Sequence, residues 1–67
     1  MNQVCVMMEC YEGEEPMLNV YGNLGDAVNQ ASELASVHGW EKVDGIMRWE
    51  EPGAYYNYIE VQVLPVQ

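Results

Sequence analysis

The chain has 67 residues and a formal net charge of −9, with eleven Asp and Glu against only Lys42 and Arg48. So few cations exclude direct nucleic-acid binding, which draws its affinity from Lys and Arg displacing counterions, and they disfavour an anionic membrane surface equally. A domain this short buries only about 60% of the surface its unfolded chain exposes, so its stability depends on an unusually good core, a staple or a partner subunit.

Residues 3 to 11, "QVCVMMECY", alternate as a strand with two apolar faces. Val4, Val6, Met8 and Cys10 share one face, and Cys5, Met7, Glu9 and Tyr11 the other. Cys5 and Cys10 therefore point to opposite faces and cannot bridge each other there. Free thiols and a start without a basic leader favour the cytoplasm, or the host cytoplasm for a phage-encoded chain. No segment reaches the roughly 20 apolar residues of a membrane span.

"EGEEP" (12 to 16) reads as a turn, and "MLNVY" (17 to 21) as a short second strand that the pattern leaves open. Asn23 caps a helix, with Asp26 returning the interaction three residues on. Leu24, Ala27, Val28, Ala31, Leu34 and Ala35 then form one apolar stripe, and Gly39 is the left-handed residue past the helix end. Residues 40 to 50 read as a third strand weakened near Gly45, "EPGA" (51 to 54) as a turn, and 55 to 64 as a final strand. The expected fold is a single α+β domain, β(β)αββ, with an antiparallel or mixed sheet of three to four strands and one helix on one face.

Ile59, Val61 and Val63 then face the helix, and Tyr56, Tyr58, Glu60 and Gln62 face away. Cys5, Met7 and Tyr11, with Ile46 and Arg48, are expected beside those tyrosines on the uncovered face. Ringed by Glu9, Glu50 and Glu60, such a face is of the kind used in interactions. Homodimerisation, sheet against sheet, and docking of another protein compete for it. The acidic groups gather in two turns, Glu12, Glu14 and Glu15 and then Glu50 and Glu51. If 17 to 21 is not a strand the turns share one end of the sheet; if it is, they lie at opposite ends, about 25 Å apart by strand rise.

Chemistry finds little purchase. His38, the lone histidine, is placed to cap the helix C-terminus, and with Cys5 and Cys10 it makes no recognised metal spacing. No nucleophile–base constellation or phosphate loop is present; "YGNLGD" lacks the lysine. Neither catalysis nor a cofactor or metal is expected.

Length, charge, the strand "QVCVMMECY", the helix "NLGDAVNQASELASVHG" and the hairpin "EEPGAYYNYIEVQV" together resemble the small acidic inhibitors of bacteriophages and mobile elements, including anti-CRISPR proteins and DNA mimics. The resemblance is one of type and carries over no site residue. It implies a non-enzymatic inhibitor that blocks a basic nucleic-acid-binding host or defence protein or nucleoprotein complex. Glu9, Glu12, Glu14, Glu15, Glu50, Glu51 and Glu60 would attract it, and Tyr56, Tyr58 and Met7 would supply buried contact. The alternative is a homo-oligomeric accessory or structural protein whose tyrosine-bearing sheet face is the subunit interface.

Overall fold

The computed structural model describes residues 2–66. Five strands and one helix follow in the order β1 (Asn2–Cys10), β2 (Met17–Tyr21), α1 (Leu24–His38), β3 (Glu41–Lys42), β4 (Arg48–Glu51) and β5 (Ala54–Val66). The strands form one sheet, ordered β2-β1-β5-β4-β3, and every neighbouring pair is antiparallel. The class is α+β as expected, with five strands in place of three or four. No helix among the described residues is long and apolar enough to cross a membrane.

The extra strand comes from the stretch read as one strand over 40 to 50, which is itself a hairpin. Gly45, at φ 83°, sits in a conformation that costs a side-chain-bearing residue energy, and the chain reverses there. Val43 N–H donates to the Arg48 carbonyl at 2.8 Å to close the loop. Asp44-Gly45 is a recognised hairpin dipeptide, so the signal was present in the sequence.

The helix begins and ends where its caps dictate. Asn23 Oδ1 accepts from the Asp26 N–H at 2.8 Å, and Asn23 Nδ2 donates back to Asp26 Oδ2 at 2.9 Å. At the other end Gly39 is left-handed at φ 77°; its N–H reaches the Ser36 carbonyl, and the Trp40 N–H reaches that of Ala35 at 2.8 Å. These are the paired bonds of a Schellman ending, which satisfy carbonyls the helix leaves open.

Ala27, Ala31 and Ala35, none more than 1% exposed, form the buried stripe. They pack α1 against the sheet over Cys5, Met7, Trp49, Ile59 and Val61, with Tyr21, Val28, Leu34, Trp40, Met47 and Val63 at the margins. Leu24, read as part of the stripe, is left exposed at its start.

The face assignment of β1 is the reverse of the expected one. Cys5 pairs with Val63, Met7 with Val61 and Glu9 with Ile59, so these three β1 residues share the aliphatic, helix-covered face of β5. Both faces of β1 are apolar, and alternation alone does not choose between them. The choice is made by β5, whose Ile59 and Val61 have no other place to be buried. Met7 and Glu9, expected at an exposed contact surface, are therefore buried under α1, at 1% and 9% exposure. Glu9 is tolerated there because Tyr11 Oη donates to its Oε1 at 2.9 Å and Asn19 Nδ2 to its Oε2 at 3.2 Å.

Close contact through alanine leaves no room for a larger side chain at the centre of the stripe. Ala31→Leu is expected to destabilise the fold by about 1–3 kcal/mol through overpacking, measurable as a lowered urea midpoint with the slope unchanged.

Candidate functional site

The two acidic turns meet at one end of the molecule. Residues 17 to 21 do form a strand, yet the turns are not at opposite ends, because their relation is set by another pairing. The antiparallel register of β1 with β5 places Cys10 opposite Tyr58, so the end of β1 lies beside the start of β5. The turn after β1 and the Pro52-Gly53 turn before β5 are thereby neighbours.

Asn57 joins them. Its Oδ1 accepts from the Glu12 N–H at 2.6 Å, and its Nδ2 donates to Glu51 Oε1 at 2.7 Å. A single half-buried amide thus ties one acidic turn to a carboxylate of the other. Glu12, Glu14 and Glu15 are exposed on one side of this tie, Glu51 lies on the other, and Glu41 stands opposite Glu50 in the β3–β4 pair. The helix also ends here, so its negative dipole end adds to the same field. Tyr55 and Tyr56, 71% and 53% exposed with ring centroids 6.3 Å apart, stand close by at the start of β5. Tyr56 was legible in the sequence and Tyr55 was not, since strict alternation sends it to the opposite face.

Glu50 and Glu60 play a different part from the one expected. Arg48 Nε contacts Glu50 Oε2 at 2.6 Å, and Arg48 Nη1 contacts Glu60 Oε1 at 2.9 Å. The guanidinium lies over the Tyr58 ring, its Cζ 3.6 Å from the centroid. The Gln62 amide and Arg48 hold the Glu60 carboxyl below its ordinary range against an opposing effect of burial. For Arg48, burial works against the charge and the two glutamates outweigh it, so its pKa is raised. Contact with the Cys10 thiol, then burial, push the Tyr58 phenol up, while Arg48 opposes. Tyr58 is accordingly a half-buried platform beneath an ion-paired arginine.

The helix C-terminus carries an aromatic group. His38 stacks on Trp40 with centroids 4.4 Å apart, and Tyr11 approaches both rings at 5.7–5.8 Å. Tyr11 Oη lies 3.3 Å from His38 Nε2. Burial, the bond to Glu9 and the charges of Glu9 and Glu14 raise the Tyr11 pKa to about 12. Tyr11, expected on the uncovered face, instead closes the acidic end of the core.

That uncovered face divides in two. On β1 and β2 its residues are Val4, Val6, Met8 and Cys10, with Leu18 opposite Met8 and Val20 opposite Val6, and Leu64 of β5 lies opposite Val4. On β4 and the rest of β5 they are Arg48, Glu50, Tyr58, Glu60 and Gln62, polar but internally paired. Ile46, expected on this face, is in the β3–β4 loop. It lines a shallow depression of about 480 Å³ with Lys42, Gly45, Met47, Glu60 and Val61. The described residues hold no group of three or more His, Cys, Asp or Glu placed to bind a metal ion.

Comparison with family models, with curated proteins and with solved structures found no match to this chain.

Two predictions come from this geometry. Asn57→Ala removes both bonds of the tie, so unfolding free energy should fall by about 1–2 kcal/mol in urea titration. Tyr11 keeps its proton in the folded chain above the ordinary value of 10.0, so its contribution to stability is complete below pH 10 and is lost as pH rises through about 12. Ultraviolet titration should show late phenol ionisation near pH 12 whose amplitude Tyr11→Phe lowers by one tyrosine, with Tyr58 still titrating above its ordinary value.

Proposed function

We propose that the chain is a non-enzymatic binding protein that inhibits a basic nucleic-acid-binding protein or nucleoprotein complex of a host or its defence machinery, in a reducing cytoplasm. The observation that carries this reading is the convergence of Glu12, Glu14, Glu15, Glu41 and Glu51 at one end, beside the exposed rings of Tyr55 and Tyr56. None of these carboxylates has a Lys or Arg partner among the ion pairs of the described residues, whose only pairs join Arg48 to Glu50 and Glu60. Their field extends outward, where it raises the encounter rate with a basic surface and competes for a site that otherwise holds phosphates.

The tyrosines complement the charge. Rings with free edges and hydroxyls bury large area at low entropic cost, which makes them suited to the centre of a contact. Met7 and Glu9 have no part in it, because both are buried beneath the helix. Glu50 and Glu60 contribute mainly to holding Arg48 over Tyr58.

The test compares the wild-type chain with a variant in which Glu12, Glu14, Glu15 and Glu51 are all lysine, each immobilised against host lysate at low salt. The wild type should retain a basic nucleic-acid-binding protein, displace nucleic acid from it, and release it with affinity falling roughly tenfold over a roughly fourfold rise in salt. The variant should retain none. Retention of the same partner by the variant would sink the reading.

A further inference from the structure

The apolar half of the uncovered face runs along β1 and β2 back from the turn after β1 and is not used by the function proposed above. Leu18 and Val20 on it are 62% and 68% exposed, and Leu64 is 44% exposed. They run together with Val4, Val6 and Met8 across β2 and β1 to the edge of β5, where Gln62 opposite Val6 and the ion-paired Glu60 opposite Met8 bound the patch. We infer that this surface is a homodimer interface, covered by a second copy of the chain packed face to face.

Three observations select a second copy as the occupant. The first is charge. A basic partner drawn to the acidic end gains nothing from an uncharged patch, whereas a copy presents the same apolar rows and is complementary to itself across a two-fold axis.

The second is the direction of the axis. Two chains of charge −9 repel, and an axis parallel to the strands would bring both acidic ends together. An axis across the strands sends them to opposite ends of the pair. Each chain is 39 Å long, several times the roughly 8 Å screening length at physiological salt, so the repulsion in that arrangement is largely screened.

The third is area. Three strands about 4.8 Å apart and about seven residues long at 3.3 Å each cover on the order of 300 Å² per copy. About 600 Å² for the pair is below the range of permanent interfaces and corresponds to a weak, reversible dimer. The core gives such a dimer its use. Three of the eight side chains in the buried cluster are alanines, Cys5 and Cys10 are unbridged, and a chain this short gains from burial in a partner.

Sedimentation velocity between about 1 µM and about 200 µM, at low and at high salt, tests the inference over the range an interface of this size requires. The wild type should pass from one chain mass to two as concentration rises. Dimerisation should tighten with salt, the opposite of the response expected at the acidic end. Leu18→Glu, at a position exposed in the single chain, should keep its circular dichroism and weaken dimerisation on the order of 100-fold. Glu33→Lys, on the solvent side of α1, should dimerise at least as well as wild type. A wild type that stays monomeric at every concentration and salt overturns the inference. So does a dimer that survives Leu18→Glu, which would point to pairing through the free edge of β2. Because partner capture is read at the glutamates and dimerisation at Leu18, failure of one result leaves the other standing.

Discussion

The structure depends on a close approach between one alanine-faced helix and one side of a five-stranded sheet. Ala27, Ala31 and Ala35 let the helix backbone come near enough for Met7, Ile59, Trp49 and Val61 to be sealed beneath it. Larger residues would bury more area individually but hold the two layers apart. The economy has a geometric result: one helix covers one face, and the described residues form no second helix for the other. Much of what distinguishes the molecule's surface follows from that imbalance.

The placement of charge follows from strand pairing. Because β5 is antiparallel to β1 and lies beside it, the chain's two glutamate-rich turns meet, and the helix delivers its own negative end to the same place. The like charges there are tolerated because most are solvated, where each pair costs on the order of 1 kcal/mol at contact and is further screened by salt. Glu9 is the exception there and is accordingly held by two side-chain donors. Charge that would be a burden inside the fold is thus concentrated where water carries most of its cost.

The helix was legible residue by residue, from the Asn23 cap through the alanine stripe to Gly39, because each of these signals acts within a few residues of where it stands. The final strand's two faces were legible because only one is aliphatic. The first strand was not, since "QVCVMMECY" is apolar on both sides and its orientation is decided by a partner about fifty residues away. Reading Met7 and Glu9 outward was the direct cost. The hairpin within 40 to 50 was announced by Asp44-Gly45 and obscured by the apolar residues around it. The meeting of the acidic turns depends wholly on the β1–β5 pairing and on Asn57, and no local pattern announces either.

Cys5 and Cys10 stand on opposite faces of the same strand, one sealed beneath the helix and the other half-exposed on the open face. A thiol reagent therefore meets two different clocks in one molecule. Modification of Cys10 is timed by what covers the open face, while modification of Cys5 waits for the helix to leave the sheet. The pair is a built-in chemical reporter that separates the occupancy of a surface from the opening of the core, with no label added to the chain.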